Sequence, residues 1–94
     1  MKKWIVEDWE FEITVTRGKA EHCRMGFEEG DKFICQYECP TEFCPKTMAL
    51  LYTLCEIARC GGDYKLRGSK SSNEIDFFCA DHCVGFHLIA KHIG

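Results

Sequence analysis

Long apolar runs are missing from this chain. The longest, Met48-Ala49-Leu50-Leu51-Tyr52, falls far short of the roughly 20 residues that a membrane-crossing helix needs. The two lysines of Met1-Lys2-Lys3-Trp4-Ile5-Val6-Glu7-Asp8 precede no apolar core, because Glu7, Asp8 and Glu10 interrupt it, so no export signal is read there. An excess of positive charge is missing too. Twelve Lys and Arg against 15 Asp and Glu give a formal net charge of −3 at pH 7, the wrong sign for a nucleic-acid footprint. There is no internal repeat and no low-complexity tract. No glycine-rich phosphate loop occurs, and Gly61-Gly62 reads as a helix stop. These absences predict one cytoplasmic domain of 94 residues, with neither nucleic acid nor membrane as a partner.

Cysteine is what the chain has in abundance: eight in 94 residues. Such a density belongs to secreted disulfide scaffolds or to metal-binding modules. In a reducing cytosol disulfides are rare. Thiolates remain, and clustered thiolates bind soft metals or iron–sulfur clusters. The spacing from Cys23 to Cys83 is C-x11-C-x3-C-x4-C-x10-C-x4-C-x18-C-x3-C. It contains no C-x-x-C, which counts against zinc ribbons, thioredoxin-like redox motifs and the bacterial ferredoxin run.

The pattern of apolar residues predicts a ββαββ order. Trp9, Phe11, Ile13 and Val15 alternate with Glu10, Glu12, Thr14 and Thr16, the signature of a half-buried strand. Residues 17–30 read as a long loop. A second strand is expected over Lys32–Tyr37, with Phe33, Cys35 and Tyr37 on one face. Pro45 suits the first position of a helix running to about Arg59. Its apolar stripe is Met48, Leu51, Tyr52, Cys55 and Ala58, widened by Leu50, Leu54 and Ile57. Residues 63–73 read as a polar loop. A third strand follows over Ile75–Cys79, and a fourth runs from Val84 to about Lys91 with Val84, Phe86, Leu88 and Ala90 inward. The fold class expected is α+β, a mostly antiparallel four-stranded sheet with one helix across one face. The other face carries Ile34, Phe78 and Ile89, which suggests a protein partner or a homodimer contact.

Burial patterns sort the eight thiols. Cys35 shares a strand face with Phe33, and Cys55 lies mid-stripe on the helix, so both read as small buried hydrophobes. Cys60 falls on the polar helix face. Cys23, Cys39, Cys44, Cys79 and Cys83 remain, all in loops or at element ends, where ligands usually originate. If the 37–44 turn and the end of the third strand share one end of the sheet, Cys39, Cys44, Cys79 and Cys83 converge there. Cys23 then starts at the opposite end and must curl back. Cys44 immediately precedes the helix, where unpaired N–H groups and the positive dipole end favour a thiolate. His22 and His82, each beside a cysteine, offer a Cys2His2 zinc site as a further possibility.

The chain also resembles a little-characterised family of short, conserved cysteine-containing prokaryotic proteins common in anaerobes. The matching residues are Cys23-x2-Gly26-x3-Gly30-Asp31-x-Phe33, Cys44-Pro45-x6-Tyr52-x6-Arg59-x-Gly61-Gly62 and Cys79-x-Asp81, followed by Val84-x-Phe86. The resemblance implies that Cys23, Cys44 and Cys79 are shared family cysteines, with Cys39 and Cys83 added in this member. Ala80 stands where the family pattern has proline. The resemblance implies no reaction.

Three functions are compatible with these residues. The leading one is an accessory or redox protein of anaerobic metabolism that holds metal or an iron–sulfur cluster. Its ligands are Cys23, Cys44 and Cys79, with Cys39 or Cys83 as the fourth. An all-cysteine set is the usual ligation of a 4Fe–4S cluster, and tetrahedral zinc accepts the same ligands. The second is a small enzyme in which Cys44 attacks, His82 or His22 acts as base and Asp81 orients it. The third is a structural subunit with inert thiols.

Overall fold

The computed structural model describes residues 8–18, 21, 23–79 and 82–93. Among these residues four strands and one α-helix form a single α+β domain, as the patterning predicts: β1 (Trp9–Arg17), β2 (Lys32–Cys35), α1 (Pro45–Arg59), β3 (Glu74–Phe78) and β4 (Gly85–His92). The strand order is β2-β1-β4-β3, and every neighbouring pair is antiparallel. The alternation in β1 does what it encodes: Phe11, Ile13 and Val15 are at most 1 % exposed. Phe86, Leu88 and Ala90 of β4, and Val84 just before it, are buried with them. Leu51, Leu54, Cys55 and Ala58 of α1 close over this face. Cys35 and Cys55 are both core residues, as expected of small apolar side chains.

The helix ends in a Schellman motif. Gly61 N–H donates to Ala58 O at 3.1 Å and Gly62 N–H to Ile57 O at 2.7 Å, with Gly61 left-handed at φ 80°. Arg59 holds the same end. Its guanidinium lies 5.0 Å from the ring centres of Phe11 and of Tyr37, donates to Gln36 O at 2.6 Å and pairs with Glu56 at 2.7 Å.

Four expectations are corrected. β2 stops at Cys35, and Tyr37 leaves the sheet to lie exposed under Arg59. Tyr52 is 55 % exposed; the buried stripe instead continues to Thr47, one turn before Leu51. The 63–73 segment contains a 3-10 helix, Tyr64–Arg67. Its buried Tyr64 donates to Leu54 O at 2.7 Å and so pins the segment to α1.

The fourth correction concerns direction. β3 runs parallel in sense to β1, since both are antiparallel to β4. The cause is the 36–44 segment, which does not turn in place. It crosses back along the sheet, drawn by Pro40 and Phe43, both buried. The Phe43 ring sits 5.1 Å from Phe33 and 5.4 Å from Phe86. Helix α1 therefore begins near the end of the sheet where β1 and β3 finish, and runs towards the end where β2 finishes.

The open sheet face carries Ile34, Phe78 and half-buried Ile89. They are interleaved with charge. Glu12 stands between Ile34 and Ile89 in register and pairs with Lys91 at 2.8 Å and Lys32 at 3.4 Å. The row holding His87 and Asp76 separates Ile89 from Phe78.

Candidate thiol centre

Because β3 finishes where α1 begins, four chain segments bring a cysteine to one place. Cys23 follows the end of β1, Cys44 caps α1, Cys79 follows β3, and Cys83 closes the turn into β4. All four line one cavity of about 330 Å3. Contrary to expectation, Cys23 does not start at the opposite end: β1 already finishes at this one. Cys23, Cys44 and Cys79 are half-buried and Cys83 is exposed. Cys39 is exposed and does not line the cavity, because the 36–44 segment is still crossing the sheet at that point. His22 and Asp81 lie outside the described residues. His82 is described but lines the neighbouring crevice, not the thiol cavity.

The turn at Cys79 is built around its sulfur. Cys83 N–H donates to Cys79 Sγ at 3.2 Å and Val84 N–H at 3.4 Å. Cys79 N–H in turn donates to Val84 O at 3.0 Å, and His82 N–H to Cys79 O at 2.9 Å. The turn needs a left-handed residue, supplied by His82 at φ 58°. Its ring stacks on Phe78 at 5.7 Å, and Arg17 covers the same Phe78 at 5.0 Å.

Cys44 is the N-cap of α1, with extended backbone and no side-chain capping bond. Its carbonyl receives Thr47 N–H and Met48 N–H, both at 3.1 Å. Cys23 starts a turn closed by Gly26 N–H to Cys23 O at 2.9 Å. Beneath the thiols lies an aromatic floor, where Phe27 meets Phe33 at 5.0 Å and Phe86 at 6.2 Å. Two cations, Arg24 and Lys46, line the cavity; no carboxylate does so among the described residues.

The remaining thiols differ in kind. The Cys35 thiol, hydrogen-bonded to Cys55, together with burial, pushes the Cys55 thiol far above the usual range. It stays protonated and inert. Cys60 is exposed at the C-cap of α1. Among the described residues no three His, Cys, Asp or Glu side chains stand close enough, as placed, to grip a single metal ion.

A second crevice adjoins the first, with Cys79 and Lys46 as shared walls. It lies between α1 and β3. Thr47 and Arg67 belong to it, and neither was singled out in the sequence. Thr47 had a signal: positions 47, 51, 54 and 58 are spaced as one helical stripe. Arg67 had none: it is exposed, and only the 3-10 helix sets it at the rim of this crevice. Comparison of the chain with protein-family models, curated proteins and solved structures gives no match. Among the described residues, no helix is long and apolar enough to cross a membrane.

Proposed function

We propose that this protein binds an iron–sulfur cluster at the thiol cavity and serves as a redox or accessory protein, with Cys23, Cys44, Cys79 and Cys83 as ligands. One observation carries the reading: four cysteines from four separate segments line a single cavity, and one of them accepts two backbone N–H groups at sulfur. Backbone donors aimed at a ligating sulfur are among the levers that set a cluster's potential. The donor set is all sulfur, which suits iron–sulfur clusters and zinc and does not suit hard cations. A cavity of about 330 Å3 favours a cluster over one zinc ion, whose ligand sulfurs close to about 2.3 Å from the metal. Arg24 and Lys46 offset the negative charge of bound thiolates, and the phenylalanine floor limits water. When bound, the cluster supplies one-electron transfer.

This reading assumes a reducing cytoplasm, where thiolates persist, and is in keeping with the resemblance to cysteine-containing proteins of anaerobes expected from the sequence. Cys39, outside the cavity, is not among the ligands we assign. Alkylation mapped by mass spectrometry tests the assignment. Cys23, Cys44, Cys79 and Cys83 should react in the metal-free protein and be protected together once it is loaded, while Cys39 and Cys60 react in both. Free reaction of Cys44 in loaded protein would remove it from the ligand set and favour the thiol-enzyme reading.

A further inference from the structure

The crevice between α1 and β3 holds a polar side chain with nothing to bind. Thr47 is 1 % exposed, and its hydroxyl has no hydrogen-bond partner. Thr53, in the helix interior, donates to the carbonyl one turn back, Ala49 O, at 3.0 Å. Thr47, in the first turn, has only Phe43 four residues back, ahead of the helix, and its hydroxyl stays unbonded. A buried hydroxyl left this way is destabilising, which is tolerable where a ligand completes it.

The surroundings give the ligand's chemistry. Lys46, Arg67 and His82 line the crevice beside Thr47. Its one carboxylate among the described residues, Asp76, is already engaged by His87 Nδ1 at 2.6 Å. The first turn of α1 contains no acidic residue, so its positive dipole end is not neutralised from within. The remaining walls are apolar: Leu50 and Leu54 on one side, Ile75 and Phe77 on the other. The volume, about 380 Å3, falls within the usual small-ligand range of about 300–1,000 Å3.

We propose that this crevice binds a small organic carboxylate with an apolar body. The body lies against half-buried Leu50 and the edge of β3, and the carboxylate accepts from the exposed Arg67 guanidinium and, once the Thr47 side chain rotates into the crevice, from its hydroxyl. Because Cys79 borders both cavities, the ligand rests against a thiol of the candidate centre. That last link rests on the proposed function; binding in the crevice does not.

The probe is phenylacetate, with neutral phenylacetamide as its control, titrated into the 15N-labelled full chain both metal-free and metal-loaded. Saturable shifts are expected at the Thr47, Leu54 and Phe77 amides in both forms. Phenylacetate should bind about tenfold more tightly than the amide. Arg67→Gln should erase most of that difference. Thr47→Val should weaken phenylacetate several-fold while the melting temperature holds or rises, since an unsatisfied hydroxyl is removed. Equal affinity for the acid and the amide, or no saturable shift at these residues with millimolar phenylacetate, would overturn the proposal. Anion-selective binding by a chain that never takes up iron would support the crevice and defeat only the cluster, so the two readings fail separately.

Discussion

Cys79 Sγ accepts the backbone N–H of Cys83 at 3.2 Å, so two cysteines four residues apart are tied by main chain instead of by a disulfide. With Val84 N–H at 3.4 Å as a second donor, the Cys79 sulfur is held as an acceptor at the wall of the cavity. The main chain alone fixes the position of this thiol. Its partners are amides, so side-chain substitution leaves the donors in place.

Cys79→Ser and Cys44→Ser should therefore abolish cofactor retention, whereas Cys55→Ala should retain it. The Cys55 variant removes buried volume and the hydrogen bond with the Cys35 thiol, and should lose about 1–2 kcal/mol of stability. Iron content per chain alongside urea unfolding distinguishes these outcomes. Equal loss of iron in all three variants would indicate general unfolding.

On the open face, His87 sits between two carboxylates, Asp76 at 2.6 Å and Glu74 at 2.8 Å. The Asp76 hydrogen bond, then that of Glu74, raises the imidazole above its ordinary value of 6.5. The protonated form is thus the one the fold favours. Its contribution is fully present below pH 6.5, the ordinary value, and is lost as pH rises through the higher folded-state value. Melting temperature across that interval should fall in the native protein relative to His87→Gln. Parallel pH profiles for the two proteins would contradict this.

At the other end of α1, Gly61→Ala should cost about 1 kcal/mol, because φ 80° is unfavourable for a side chain. Gly62→Ala should cost more. A Cβ there would meet the carbonyl oxygen and the Cγ2 of Ile57, both at 2.7 Å. Denaturant midpoints at constant slope measure both effects.

Arg59→Gln should destabilise by about 1–3 kcal/mol. The guanidinium loses its place against Phe11 and Tyr37 and its bond to Gln36 O. Urea unfolding of the variant measures the loss. The run Arg59-x-Gly61-Gly62 is therefore accounted for by helix termination and packing.

How far the sequence revealed this arrangement depended on periodicity. Alternation in β1 and β4, and the Pro45 start of α1, were legible because each is a local pattern with a local cause. The grouping of Cys44, Cys79 and Cys83 was legible as well, but by way of a mistaken topology. With β3 reversed and the 36–44 segment assumed to turn in place, two errors of direction cancelled. Cys39 was included, and Cys23 placed at the far end, for the same reason. The path of residues 36–44 is set by the burial of Pro40 and by Phe43 packing against distant aromatics, which no short window of sequence encodes. Tyr52 misled because it continues the helical stripe in spacing, yet stands outside the core, more than half exposed. Thr47 was overlooked because a polar residue on an apolar stripe is normally discounted.

The most direct test of the central claim is iron and acid-labile sulfide analysis of protein purified without oxygen, together with its visible spectrum. The account predicts brown protein containing iron and sulfide in similar amounts, with both lost together in Cys79→Ser. Colourless protein that contains neither, and that fails to take up iron and sulfide on anaerobic reconstitution, would contradict it.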